Sequence, residues 1–171
     1  MSSGHDPRAA VATADSPAPR DAPPLATPGQ RFAARLVDTL VLGAVWAVAL
    51  AATGALQYSM DHPGEQDMAR VTLALVLTMA VYFGYEGTML SRTGQTLGKK
   101  LLRIRVAMLA DGDVPARRGW VRAAVYALPG MLVPVLVGTV FWLVDSVSLY
   151  WDKPYRRALH DKAARTVVVT A

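Results

Sequence analysis

Three carboxylates in this 171-residue chain stand alone in long apolar stretches, where a lone acid has a short list of uses. Asp38 is the one charge in Leu36–Leu56, Glu86 the one charge in Val71–Leu90, and Asp145 the one charge in Ala123–Tyr150. Each stretch has the roughly 20 residues that cross about 30 Å of hydrocarbon. A carboxylate at that depth costs a few kcal/mol on insertion scales, so it needs a partner or a task. It can pair with a base, take up a proton or cation, or sit at a helix end among the headgroups.

The bases nearby narrow the choice. Arg31, Ala34, Arg35 and Asp38 fall at helical spacings of three, four and seven, so they share one face. Arg35 and Asp38 meet at i,i+3, and Arg31 lies two turns before Asp38. A carboxylate in the first turn also complements the helix dipole. Asp38 therefore reads as an N-terminal charge paired with Arg31 or Arg35, with a protonatable or ion-binding site as the alternative. Glu86 follows Tyr82, Phe83 and Tyr85, where an aromatic belt would lie, and its simplest reading is a headgroup-level carboxylate. Asp145 reads equally as a partner of Arg122 and as a transport group. Asp161 lies beyond the last apolar stretch, between His160 and Lys162, and reads as a turn carboxylate tying the C-terminal strand to the basic loop.

Other chemistry is excluded or weak. Cysteine is absent, which removes disulfides, thiolate catalysis and cysteine-ligated zinc. His5, His62 and His160 show no metal-ligand spacing, so no cofactor is expected. His160 and Asp161 are sequence neighbours without an evident nucleophile, and the chain does not read as an enzyme. Gly94-Gln-Thr-Leu-Gly98-Lys99-Lys100 is one residue short of a phosphate loop and has Lys where Ser or Thr is required. The net charge of +5 comes without a nucleic-acid motif, so nucleic acid is not an expected partner.

The elements that must position these residues come in blocks. Residues 1–28, rich in Pro, Ala, Ser and Thr, cannot bury a core and form a disordered tail. Residues 29–171 form an all-α membrane domain, a small polytopic bundle with spans at about 36–56, 71–90 and 120–151. Leu102–Met108 begins with period-2 alternation, which argues for a strand, and Asp111-Gly112-Asp113 supplies a turn. Thr166–Thr170 is strand-like and able to pair with Arg103–Ala107. The third apolar stretch is interrupted by Pro129-Gly130 and Pro134. It is either a short interfacial helix followed by one span, or a hairpin (or two shortened crossings) returning to the same side.

Basic residues set the orientation. Arg20, Arg31 and Arg35 flank the first span, and 91–122 carries eight bases, against only Arg70 in Gln57–Arg70. The N-terminus and 91–122 are therefore cytoplasmic. The five bases of the C-terminal tail favour the same side, hence the returning hairpin. Lys99, Lys100, Arg103 and Arg105 are expected to contact anionic lipid headgroups.

The motifs taken in order resemble the RDD family of small membrane proteins, named for one arginine and two aspartates. The carrying elements are Arg31-Phe-Ala-Ala34-Arg-Leu-Val-Asp38, then Gly94-Gln-Thr-Leu-Gly98-Lys99 with its strand and turn, then Arg122. The last is Arg157-Ala-Leu-His160-Asp161-Lys-Ala-Ala-Arg-Thr166-Val-Val-Val. The resemblance implies that Arg31, Asp38 and Asp161 are the signature residues. It also admits transport, including cation–proton exchange, which has been proposed for members. The apolar spans and the bias of basic residues are what place the chain in the cytoplasmic membrane. Two functions are carried forward. The first is an accessory, structural or assembly component, as a homo-oligomer or beside another membrane protein, for which Gly43, Ala44, Ala47 and Ala51 would allow close helix approach. The second is a minimal transporter using its intramembrane carboxylates.

Overall fold

The computed structural model describes residues 23–171, without the side chains of 132–135. The first helix, α1 (Pro28–Ala52), opens on a capping box. Thr27 Oγ1 accepts from the Gln30 amide at 3.2 Å, Gln30 Oε1 accepts from the Thr27 amide at 2.9 Å, and Pro28 fills the first helical position. A short α2 (Ala55–Asp61) leads to α3 (Met68–Thr93), capped by Asp67, whose carboxylate accepts from the amides of Ala69 and Arg70. Both long helices begin before the expected spans, because each first turn carries an arginine, Arg31 or Arg70, that ends an apolar run.

The two helices run antiparallel. Arg35 and Asp38 near the start of α1 meet Tyr82, Tyr85 and Glu86 near the end of α3. Most of their apolar side chains point outward: Leu40 is 69% exposed and Val81 53%. A water-soluble domain would bury such faces against a core.

After α3 the chain turns at Gly94 (φ +69°), whose carbonyl accepts from the Val106 amide at 2.7 Å, into α4 (Leu97–Leu101). Strand β1 (Ile104–Met108) follows. Helix α5 (Arg117–Ala127) lies antiparallel on α3 at closest approach, where a Cβ on Gly87 would overlap the Trp120 ring and one on Gly119 would crowd the backbone of Leu90 and Ser91. The Pro-broken segment forms a 3-10 stretch, Leu128–Val135, and the chain then reverses into α6 (Val137–Ser148). Tyr126 stacks on Trp142 with ring centres 5.7 Å apart, and the Trp142 indole donates to the Tyr126 carbonyl at 3.0 Å. The backbone reverses at this segment, so that Arg122 of α5 and Asp145 of α6 both reach the same C-terminal helix. Helix α6 has 12 residues and is about 18 Å long at 1.5 Å per residue, too short to cross a bilayer core.

Helix α7 (Leu159–Ala164) and strand β2 (Thr166–Thr170) close the chain. The expected strand pair is present and antiparallel, with Arg105 opposite Val169 and Val106 opposite Val168. The other edge of β2 carries a segment expected to be disordered. Residues 1–22 of that tail lie outside the described residues, but the Ala26 amide donates to the Val168 carbonyl at 3.0 Å and the Thr170 amide to the Pro24 carbonyl at 2.9 Å. The reason is edge pairing: β2 would otherwise present an open row of donors and acceptors. One sheet face packs Ile104, Val106 and Val168 against Ala26, Ala34 and Leu90, which fixes the sheet at the charged end of the bundle.

Candidate functional site

The three lone acids and Asp161 converge at that end, and all are buried. Asp38 does not pair with Arg31 or Arg35 as its spacing suggested. Its Oδ2 accepts from Thr96 Oγ1 at 2.6 Å, and its Oδ1 from the Gly98 amide at 2.9 Å and the Tyr85 hydroxyl at 3.2 Å. The physical reason is solvation: a buried carboxylate is best satisfied by several directed donors, which the Gln95–Gly98 turn presents together. Gly98 is required for this approach, since a Cβ there would overlap the Ala34 carbonyl oxygen. Ala34 and Asp38 of α1 thus form one seat for the start of α4. Lys99 stands behind it, with Nζ 3.8 Å from Asp38 Oδ2 and 3.3 Å from Thr96 Oγ1.

Glu86 does not snorkel outward as a lipid-facing carboxylate would. It is fully buried, and its Oε1 accepts from Arg35 Nη1 at 3.2 Å and Arg122 Nη1 at 3.3 Å. Two of the aromatic residues that suggested a belt turn inward instead: Tyr82 OH accepts from Arg35 at 3.0 Å, and Tyr85 OH donates to Asp38. The Arg35 guanidinium also lies 3.8 Å from the Tyr126 ring centre. Arg122 is the hub. Its Nε donates to Asp161 Oδ1 at 2.9 Å, its Nη1 to Glu86, and its Nη2 lies 2.8 Å from His160 Nε2.

Asp145 pairs with His160 rather than Arg122. Its Oδ1 accepts from the His160 amide at 3.0 Å, and His160 Nδ1 lies 2.6 Å from Oδ2. The neighbours set the tautomer: a guanidinium only donates, so Nε2 facing Arg122 is the acceptor and Nδ1 carries the proton toward Asp145. Burial and then the Arg122 charge push the imidazole below its ordinary value, against the pull of Asp161 and Asp145. Asp161 also accepts from the Ala158 amide at 3.2 Å at the start of α7, and Arg31 Nη1 stands 3.5 Å from its Oδ2. Burial raises that carboxyl, but Arg122, His160 and Arg31 outweigh it and hold it well below the usual carboxylate range. Arg31 further donates to the carbonyls of Arg156 at 2.6 Å and Val168 at 3.2 Å, so it staples the C-terminal strand to α1.

A cavity of about 430 Å³ opens beside the cluster, lined on its polar side by Arg31, Arg35, Lys99, Arg122, Asp145 and Asp161. The basic run divides: Lys99 is buried, whereas Lys100 and Arg103 are exposed and Arg105 is half-buried, donating to the Gly112 carbonyl at 3.0 Å. Lys99 turns inward because α4 is anchored by its first turn on Asp38. Burial first, and then the charges of Arg35 and Arg122, bring its ammonium down to about 7.

The RDD family model matches residues 25–165. The chain belongs to the RDD family. No curated protein and no solved structure matches it. As an RDD chain with two helices long and apolar enough to cross a bilayer, it is a membrane protein. In this RDD chain Arg31 and Asp161 come together, while Asp38 serves a separate seat on α4. Sequence reasoning missed Thr96, Gly98 and Tyr85 as the partners of Asp38, and His160 as the partner of Asp145. The Gly94–Lys99 motif carried the first signal, since Thr96 two residues before a glycine reads as a helix cap.

Proposed function

We propose that this RDD protein is a non-enzymatic accessory or assembly component of the cytoplasmic membrane, whose buried charges clamp a small sheet onto a helical bundle. The observation that carries this reading is the saturation of the carboxylates. Among the described residues, Asp38, Asp145 and Asp161 each take at least two directed contacts, and Glu86 Oε2 is the one buried carboxylate oxygen without a partner. A proton–cation cycle would have to break these bonds at every turnover. The Lys and Arg bias supports a cytoplasmic sheet with both termini inside. The exposed face of Gly43, Ala47 and Ala51, spaced four apart, supports a packed partner helix from a second copy or another membrane protein.

Transport remains the second reading, because Asp145 and His160 line a cavity open to the outside of the fold. Everted vesicles separate the two. We expect no cation-dependent proton movement above empty vesicles. Movement that Asp38→Asn and Asp145→Asn both abolish at matched expression would establish transport instead.

A further inference from the structure

The cavity beside the charge cluster has two unlike ends. Its inner wall carries four cationic groups, Arg31, Arg35, Lys99 and Arg122, against two carboxylates, Asp145 and Asp161. Those two acids are already engaged, Asp145 by His160 and Asp161 by Arg122 and the Ala158 amide. Asp38 and Glu86 are not part of the lining. The unused capacity is on the donor side. Among the described residues, Arg31 Nε and Arg35 Nη2 are buried without a partner, and Lys99 Nζ has only contacts of 3.3 and 3.8 Å, longer than a charged donor normally makes.

The outer wall is different. Phe32 and Leu36 of α1 and Val147, Leu149 and Tyr150 at the C-terminal end of α6 line it, and Phe32 and Tyr150 are turned to the surroundings, 73% and 63% exposed. In a membrane protein, apolar side chains exposed in this way suit contact with lipid better than contact with water. A small soluble anion would leave that wall unused, whereas an amphiphile uses both ends.

We infer that the cavity binds an anionic amphiphile, its phosphate or carboxylate against Arg35, Lys99 and Arg31 and its chains leaving between α1 and α6. This goes beyond the accessory reading and holds whether or not anything is moved across the membrane. It also relocates headgroup recognition from the exposed basic surface to an interior site. Such a bound lipid would join α1 and α4 through donor capacity their own contacts leave unused, and α6 through its apolar end.

The test uses the full chain, delipidated in a non-ionic detergent, with dioleoylphosphatidylglycerol, dioleoylphosphatidylcholine or inorganic phosphate added. Native mass spectrometry counts retained lipid. We expect one phosphatidylglycerol per chain, no comparable retention of phosphatidylcholine, and no displacement by inorganic phosphate. Arg35→Gln and Lys99→Met should each weaken retention about tenfold, the loss of one charge-assisted contact. Should either variant fail to fold, the exposed pair Phe32→Glu and Phe32→Leu decides: the first weakens retention and the second keeps it. Equal retention of both lipids, displacement by phosphate alone, or unaltered retention in Phe32→Glu would each overturn the assignment.

Discussion

Arg122 donates from Nε to Asp161 at 2.9 Å while its Nη1 stands 3.3 Å from Glu86, so one guanidinium joins α5 to the C-terminal helix and to the second long helix. All three side chains are buried. Removing one member of a buried ionic set leaves the others uncompensated.

Arg122→Met should therefore lower stability by about 3–5 kcal/mol. Thermal unfolding in mild detergent reads the effect. Arg122→Lys should recover little, because an ammonium cannot present three donors in a plane to Asp161, Glu86 and His160. Full recovery by lysine would mean that charge alone matters at this position.

Gly98→Ala tests the seat between α1 and α4. An added Cβ overlaps the Ala34 carbonyl oxygen, and we expect a loss of about 1–3 kcal/mol from overpacking. Gly84→Ala is the control, since nothing lies within 4 Å of a Cβ there. Unfolding midpoints that shift equally in the two variants would remove the argument from close approach.

Stability should rise with pH in two adjoining windows. Lys99, brought to about 7 by burial and by Arg35 and Arg122, holds its proton more weakly than the unfolded chain does up to about 10.4, so alkali relieves a cost of folding. His160, also lowered, binds its proton more weakly than an unfolded histidine, so stability falls as pH drops below about 6.5. Asp161 acts only in stronger acid: its contribution is complete above about pH 4 and is lost as pH falls further. The midpoint should climb from about pH 5.5 to about pH 9.5, with Lys99→Met flattening the upper limb and His160→Gln the lower. A flat wild-type profile would contradict both assignments.

Strand register gives a direct geometric check. Arg105 stands opposite Val169, so cysteines at these two positions should cross-link in this cysteine-free chain. Cysteines at Arg105 and Val168 should cross-link poorly, because neighbouring residues on a strand face opposite sides. Preference for the second pair would place the strands one residue out of register.

Much of the architecture was legible because hydropathy and alternation are local signals. The two long helices, the break at Pro129 and Pro134, and the pairing of Thr166–Thr170 with a strand expected at Arg103–Ala107 and found at Ile104–Met108 all follow from patterns of a few residues. The partners of the charges were not legible. Spacing along α1 offered Arg31 or Arg35 to Asp38, yet Arg31 is drawn to Asp161 and Arg35 to Glu86 and the Tyr126 ring. Asp38 takes donors supplied more than 45 residues away. Lys99 was grouped with its basic neighbours by count, and only the packing of α4 on α1 separates it from them.

The central claim is that the buried carboxylates hold this fold together, and neutralising them one at a time tests it most directly. Asp38→Asn, Glu86→Gln, Asp145→Asn and Asp161→Asn keep shape and remove charge. We expect each to lower the unfolding midpoint, at a cost of about 1.5–3 kcal/mol per charge-assisted bond weakened, with Asp38→Asn and Asp161→Asn most affected. Variants that unfold with wild-type midpoints would show that these carboxylates do not clamp the structure, and the weight would pass to an ion-handling role.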